Sequence, residues 1–269
     1  MVPHALISGP VWAEQGVYEI NQLCVATGCF DGDDPGFPVE IVNPGSYRLT
    51  SNLNVRDEPN PEDVTAILTT GFSVNLDLNG HVIIGPVSCP GTPASCSISG
   101  IGFGILSNSG LAQIHNGTVS GMGSAGVGCS GLCSVADLVL VSNGGNGLDA
   151  IGGNNNALRI RSVSNGGAGI LFRGLIENSH AQRNGGVGIS VAGESILNAS
   201  TATLNGGAGV QCVRCSMFFN TITGNTGVGV QYFSPSSAGS NSISNNSGGS
   251  TSGAAPFVTA PNRCGSSSC

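Results

Sequence analysis

The sequence predicts an all-β chain, a single-stranded right-handed parallel β-helix (a solenoid) with roughly 20-residue coils and an N-terminal cap. Three observations predict it: a repeated phrase, the composition, and the register of the side chains around the phrase. The phrase is Asn, Gly or Thr, Gly, any residue, Gly, aliphatic. It occurs as Asn143-Gly-Gly-Asn-Gly-Leu148, Asn165-Gly-Gly-Ala-Gly-Ile170, Asn184-Gly-Gly-Val-Gly-Ile189, Asn205-Gly-Gly-Ala-Gly-Val210 and Asn225-Thr-Gly-Val-Gly-Val230. Looser copies precede it at Gly100–Ile105 and Ser124–Cys129. A period near 20 with small and β-branched residues and no helical 3.6 spacing fits one turn of a parallel solenoid. A leucine-rich repeat needs a Leu-x-x-Leu-x-Leu frame, which is absent. Seven or eight coils at ~4.8 Å each give a rod roughly 35–40 Å long before its caps.

Composition agrees. The 269 residues include 44 glycines, with 39% hydrophobic and only 9% charged side chains. Disordered chains pair low hydrophobicity with high net charge, which is not the balance here. Gly and Asn serve turns instead, because both tolerate positive φ and Asn bonds its own backbone.

The repeat also sorts inside from outside. Three residues before each phrase Asn stand Leu140, Ser162, Ala181, Ala202 and Ile222, and five before stand Leu138, Ile160, Ser179, Ser200 and Asn220. These small and aliphatic columns suit the interior. Strand alternation then sends the fourth and sixth positions outward. The fourth reads Val139, Arg161, His180, Thr201, Thr221 and the sixth Asp137, Arg159, Asn178, Ala199, Phe219.

Three segments follow: an acidic N-terminal extension and cap (1–63), the β-helix (64–249), and a C-terminal tail with a disulfide (250–269). Ten of the fifteen acids lie in the first 63 residues, and the chain has no lysine. A surface that tracks nucleic-acid phosphates is therefore not expected. No stretch reaches the ~18 apolar residues of a membrane span. The first sixteen residues lack a cationic n-region and a long apolar h-region, so export by a removed signal or by another route is expected.

Ten cysteines form five close pairs: Cys24/Cys29, Cys89/Cys96, Cys129/Cys133, Cys212/Cys215 and Cys264/Cys269. Local pairs in even number predict disulfides and a secreted or cell-surface protein in an oxidising compartment. The CxxC at 212–215 has no redox or zinc context, since Cys129/Cys133 lie about four coils away, roughly 19 Å. Asp31, Asp33 and Asp34 crowd three carboxylates; without the EF-hand frame the first reading is an acidic solvated loop and no cofactor, and a calcium site is the alternative.

Leu76-Asp-Leu-Asn-Gly-His-Val-Ile-Ile-Gly85, followed by the Asn-Gly-Gly-x-Gly coils, resembles the pectate-lyase-like right-handed parallel β-helix superfamily of secreted proteins. The opening Tyr18–Cys24 through Cys29, the run Pro44-Gly-Ser-Tyr-Arg-Leu-Thr50 and the C-terminal Cys pair are similar to an uncharacterised bacterial branch of it. The likeness covers roughly residues 18–269. It implies the fold and leaves the activity open, because members include lyases, hydrolases, tail spikes, binders and structural proteins.

One constellation carries chemistry. Arg161, His180 and Arg159 are the candidate catalytic residues, with Asn178, Asp137, Thr201 and Arg183 as substrate-binding neighbours and Glu177 nearby. A polysaccharide lyase needs a cation to neutralise a uronate carboxylate and a base to take the C5 proton, and Arg and His suit those roles. A solvated polar ladder, with Asp137–Arg159 as a surface ion pair, is the alternative. No two carboxylates fall on adjacent coils of the outward columns, as a glycosidase requires. His81 and His115 are read as structural, at unmatched registers. The first expectation is accordingly a non-catalytic protein that binds polysaccharide or a cell-surface glycan or forms extracellular matrix. The lyase is the second reading. A third is self-association end to end into a filament, driven by the acidic cap and the Arg214/Arg263 end.

Overall fold

The computed structural model describes residues 16–108, 110–265, 267 and 268, with the last two as backbone only. Residues 1–15 of the predicted extension, and Cys269 of the fifth cysteine pair, lie outside the described residues.

The chain is a right-handed parallel β-helix of three ladders. Sheet A runs from Val39–Ile41 to Thr251–Gly253 and holds ten parallel strands. Sheet B runs from Val17–Ile20 to Phe257–Val258 and holds eleven. Sheet C runs from Leu53–Asn54 to Arg263–Cys264 and holds ten. The stack is longer than seven or eight coils because residues 17–84 also wind as coils without using the Asn-Gly phrase. A single antiparallel strand, Ser267–Ser268, folds back on Arg263–Cys264.

The interior is a set of straight columns. Tyr47, Leu76, Ile114, Val135, Ala157, Ile176, Leu197, Met217 and Ala238 follow one another through sheet B, each at most 1% exposed. Burying an aliphatic side chain of this size contributes roughly 1.5–3 kcal/mol, so repetition makes the rod stable without a single wide core. The predicted interior columns at 138–220 and 140–222 are buried as expected.

The phrase itself has a physical reading. Each phrase Asn is buried, and its side chain builds a ladder through the corner between sheets C and A. The backbone N–H and Nδ2 of Asn165 both donate to Oδ1 of Asn184 at 3.0 Å, and Asn184 does the same to Asn205. The Gly four residues after each Asn makes room for the next rung: a Cβ on Gly188 would lie 2.6 Å from Asn205 Nδ2. The Gly directly after each Asn lies under a strap. The insertion carrying the Cys89–Cys96 bridge runs across these corners, and Ala94 N–H donates to Arg183 O at 2.9 Å. A Cβ on Gly166 would meet Cys96 Sγ at 2.6 Å, and one on Gly185 would meet Ala94 O at 2.7 Å. The Thr of the last phrase, Thr226, is exposed at the equivalent position, one coil beyond Gly206 and its contact with Pro93.

Among the described residues four disulfides have both partners in place, Cys24–Cys29, Cys89–Cys96, Cys129–Cys133 and Cys212–Cys215. The last two each clip the corner from sheet A to sheet B. Bridges of this density belong to an oxidising, extracytoplasmic compartment. No described helix is long and apolar enough to cross a membrane.

The calcium expectation is overturned. Asp33 is turned inward, and its two carboxylate oxygens accept from Cys29 N–H at 2.7 Å and Glu40 N–H at 2.8 Å. Asp31 and Asp34 point to solvent. Among the described residues no group of three His, Cys, Asp or Glu side chains could hold a metal. The carboxylate of Asp33 holds a loop together instead.

Candidate functional site

The columns predicted to face outward do so. Arg161 and His180 are direct partners on consecutive strands, Arg161–Val163 and His180–Gln182, and Thr201 follows in the same column. Their backbones are therefore about 4.8 Å apart. Arg161 and His180 are exposed, and neither makes a side-chain hydrogen bond or ion pair among the described residues. Both are free to meet a ligand.

Asp137, Arg159 and Asn178 differ from expectation in their backbone. They do not lie on a flat strand face but in the corner that turns sheet B into sheet C, where φ is +54°, +54° and +50°. The chain bends from one sheet into the next at a single residue there, and a left-handed residue makes the bend. Side chains still project outward from this corner. Arg159 grips Asp137 through two bonds, Nε to Oδ1 at 2.6 Å and Nη2 to Oδ2 at 2.7 Å. The hydrogen bond from Arg159 holds the Asp137 carboxyl below its ordinary value. Arg159 is thus engaged, whereas Arg161, two residues on, is open. Glu177 accepts from Asn198 Nδ2 at 3.2 Å. Arg183 occupies another left-handed corner, at the far end of the strand that begins with His180.

A second polar cluster escaped the sequence reading. His115 pairs in register with Asp77 on the outer face of sheet B, and Arg48 stands on the next coil. Asp77 is the hub. It accepts from Asn79 N–H at 2.8 Å and from Asn116 Nδ2 at 3.1 Å, and Arg48 Nε lies 3.4 Å away. His115 Nδ1 faces Asp77 at 3.7 Å, and its Nε2 meets Asn75 Oδ1 at 3.0 Å. Nε2 is hydrogen-bonded and Nδ1 faces the carboxylate, so this cluster ties neighbouring coils together, and the register of the histidine is matched. The repeated ending Asn79-Gly80 and Asn116-Gly117 is the signal that aligns the two coils.

Residues 99–247, more than half of the chain, match the family described as the right-handed β-helix region. The chain belongs to the right-handed β-helix family. No curated protein matches this β-helix protein. Solved structures similar to it include a double mutant of the periplasmic alginate epimerase AlgG, at 14% identity over 84% of this chain and 70% of that one, with a TM-score of 0.56. A single mutant of AlgG aligns at 11% identity over 91% and 83%, with a TM-score of 0.52. The A-module of the Azotobacter vinelandii mannuronan C-5 epimerase AlgE4 aligns at 14% identity over 76% and 70%, with a TM-score of 0.44. At these identities the likeness is one of fold alone.

Proposed function

We propose that this β-helix protein, secreted or held at the cell surface, acts on an acidic polysaccharide by taking the C5 proton of a uronate residue at Arg161 and His180. The observation that carries the reading is their side-by-side placement on consecutive coils with no internal partner. The AlgG structures lend support, because they show this fold in alginate epimerases, and alginate is a chain of uronates.

The chemistry follows from the two side chains. The planar guanidinium of Arg161 matches a carboxylate bidentately. Neutralising that carboxylate lets the adjacent C5–H ionise, and the electron pair left at C5 spreads into the carboxylate that Arg161 holds. His180, as neutral imidazole, accepts the proton. Expulsion of the C4 oxygen then breaks the C4–O bond and forms a C4–C5 double bond, the departing oxygen takes a proton from water, and His180 gives its proton back to solvent. Return of a proton to the opposite face of C5 inverts the centre without cleavage. Both outcomes share the one abstraction step, so this reading replaces the non-catalytic expectation by a lyase or epimerase class. Thr201, Asn178 and Arg183 are the neighbours that would position sugar hydroxyls and carboxylates.

Incubation with polymannuronate, polyguluronate and polygalacturonate tests it. Unsaturated or epimerised product from the wild type, lost in Arg161→Ala and His180→Ala at unchanged melting temperature, supports the proposal. Binding without any product returns the protein to a glycan-binding role.

A further inference from the structure

We infer that a groove on the last coils, at the corner between sheets A and B, is a binding subsite for a hexuronate residue of an acidic glycan. It rests on the reading above only for the class of ligand, since it lies away from Arg161 and His180, across sheet B. The groove is shallow and open to solvent, with about 540 Å³ of space along it.

Its floor is one outward column of sheet B. Ile196, Ser216, Ser237 and Phe257 follow one another on four coils in direct register. Phe257 is 73% exposed and Ile196 46%. The ring of Phe257, at one end of this column, offers a flat apolar surface to the C–H face of a pyranose, and Ile196 stands at the other end, three coils or about 14 Å away. Among the described residues the hydroxyls of Ser216 and Ser237 make no hydrogen bond, unlike those of Ser195 and Ser236, which bond the backbone behind them. Two charges stand at the rim. Arg214 and Glu194 are exposed, and neither has an ion pair or side-chain hydrogen bond among the described residues. The guanidinium suits a uronate carboxylate and the carboxylate suits vicinal hydroxyls. The floor climbs one residue per coil in steps of about 4.8 Å, so successive sugars of a chain lying along the rod meet successive rungs.

The test is calorimetric binding of polygalacturonate and polymannuronate hexamers, and of a neutral xylohexaose, to the Arg161→Ala/His180→Ala protein. That background cannot turn the ligand over by the proposed route. Adding Phe257→Ala is expected to weaken every hexamer that binds by about tenfold or more, and adding Arg214→Ala to weaken only the acidic ones by a similar factor. Both residues are exposed, so melting temperatures should stay within a few degrees. Binding equal to the parent in both variants overturns the inference, as does a parent that binds no hexamer. Product from the wild type together with unchanged binding by the groove variants sinks the groove and leaves the chemistry standing. No product, with binding lost in the groove variants, does the reverse.

Discussion

Asn184 donates both its backbone N–H and its Nδ2 to the side-chain oxygen of Asn205, each at 3.0 Å. The same contact recurs from Asn143 to Asn246, in a corner that excludes water. A buried amide that is satisfied rigidifies its surroundings, and one left half satisfied is costly.

Asn184→Ala should therefore be severe. It strands the Asn165 backbone N–H, takes from Asn165 Nδ2 one acceptor while Leu140 O and Ser162 Oγ remain, and leaves Ser162 O without its 3.2 Å donor. The expected loss is at least about 2 kcal/mol. Thermal unfolding measures the loss, and hydrogen exchange should place it in the coils on either side, as nearest-neighbour repeats require.

Gly185→Ala should separate the strap from the rod. The new Cβ meets Gly166 O of the preceding coil as well as Ala94 O of the strap at 2.7 Å, an overpacking of both rod and strap expected to cost about 1–3 kcal/mol. Thr226→Ala, at the equivalent exposed position, should stay within about 0.5 kcal/mol. Limited proteolysis between Cys89 and Cys96 should speed up in the first variant only.

Tyr47 and Tyr232 give the protein an alkaline limit. Burial pushes both phenols up to about 12, with Tyr18 adding to the effect at Tyr47. Folding thus holds the proton more tightly than the unfolded chain, whose phenols titrate near 10. The stability this represents is fully present below pH 10 and is lost between about pH 10 and pH 12. Ultraviolet titration should show two tyrosines that ionise only as the rod unfolds.

Asp33 should matter without metal. Chelation is expected to leave the melting temperature unchanged, because the carboxylate is already spent on the N–H groups of Cys29 and Glu40. Asp33→Ala should cost about 2–3 kcal/mol, the range for hydrogen bonds to a charged group. A chelator-dependent melt would contradict this account of the loop.

The fold was legible because the phrase marks each coil at the same corner and the interior columns repeat in step. Ala181, Ala202 and Ile222 could be placed inside from spacing alone, and Arg161 and His180 outside and adjacent. Four features resisted. The corner at Asp137, Arg159 and Asn178 looks like strand by alternation, because a left-handed residue between two strands preserves the outward direction of its side chain. The pairing of His115 with Asp77 was hidden by the strap insertion: partners on those coils, such as Thr69 and Ser107, are 38 residues apart instead of about 20. The disposition of Asp33 was not legible either, since nothing in three crowded carboxylates says that one of them turns inward to backbone amides. The groove at Phe257 depends on exposure, which the tail sequence does not encode as a period.

The most direct test of the proposed activity is exchange at C5 of a polyuronate in deuterated water, read by NMR. Wild-type protein should yield either C5-deuterated, inverted residues or a 4,5-unsaturated end, and His180→Ala and Arg161→Ala should yield neither. Polyuronates that keep every C5 proton and every linkage in the presence of the wild type would contradict the account.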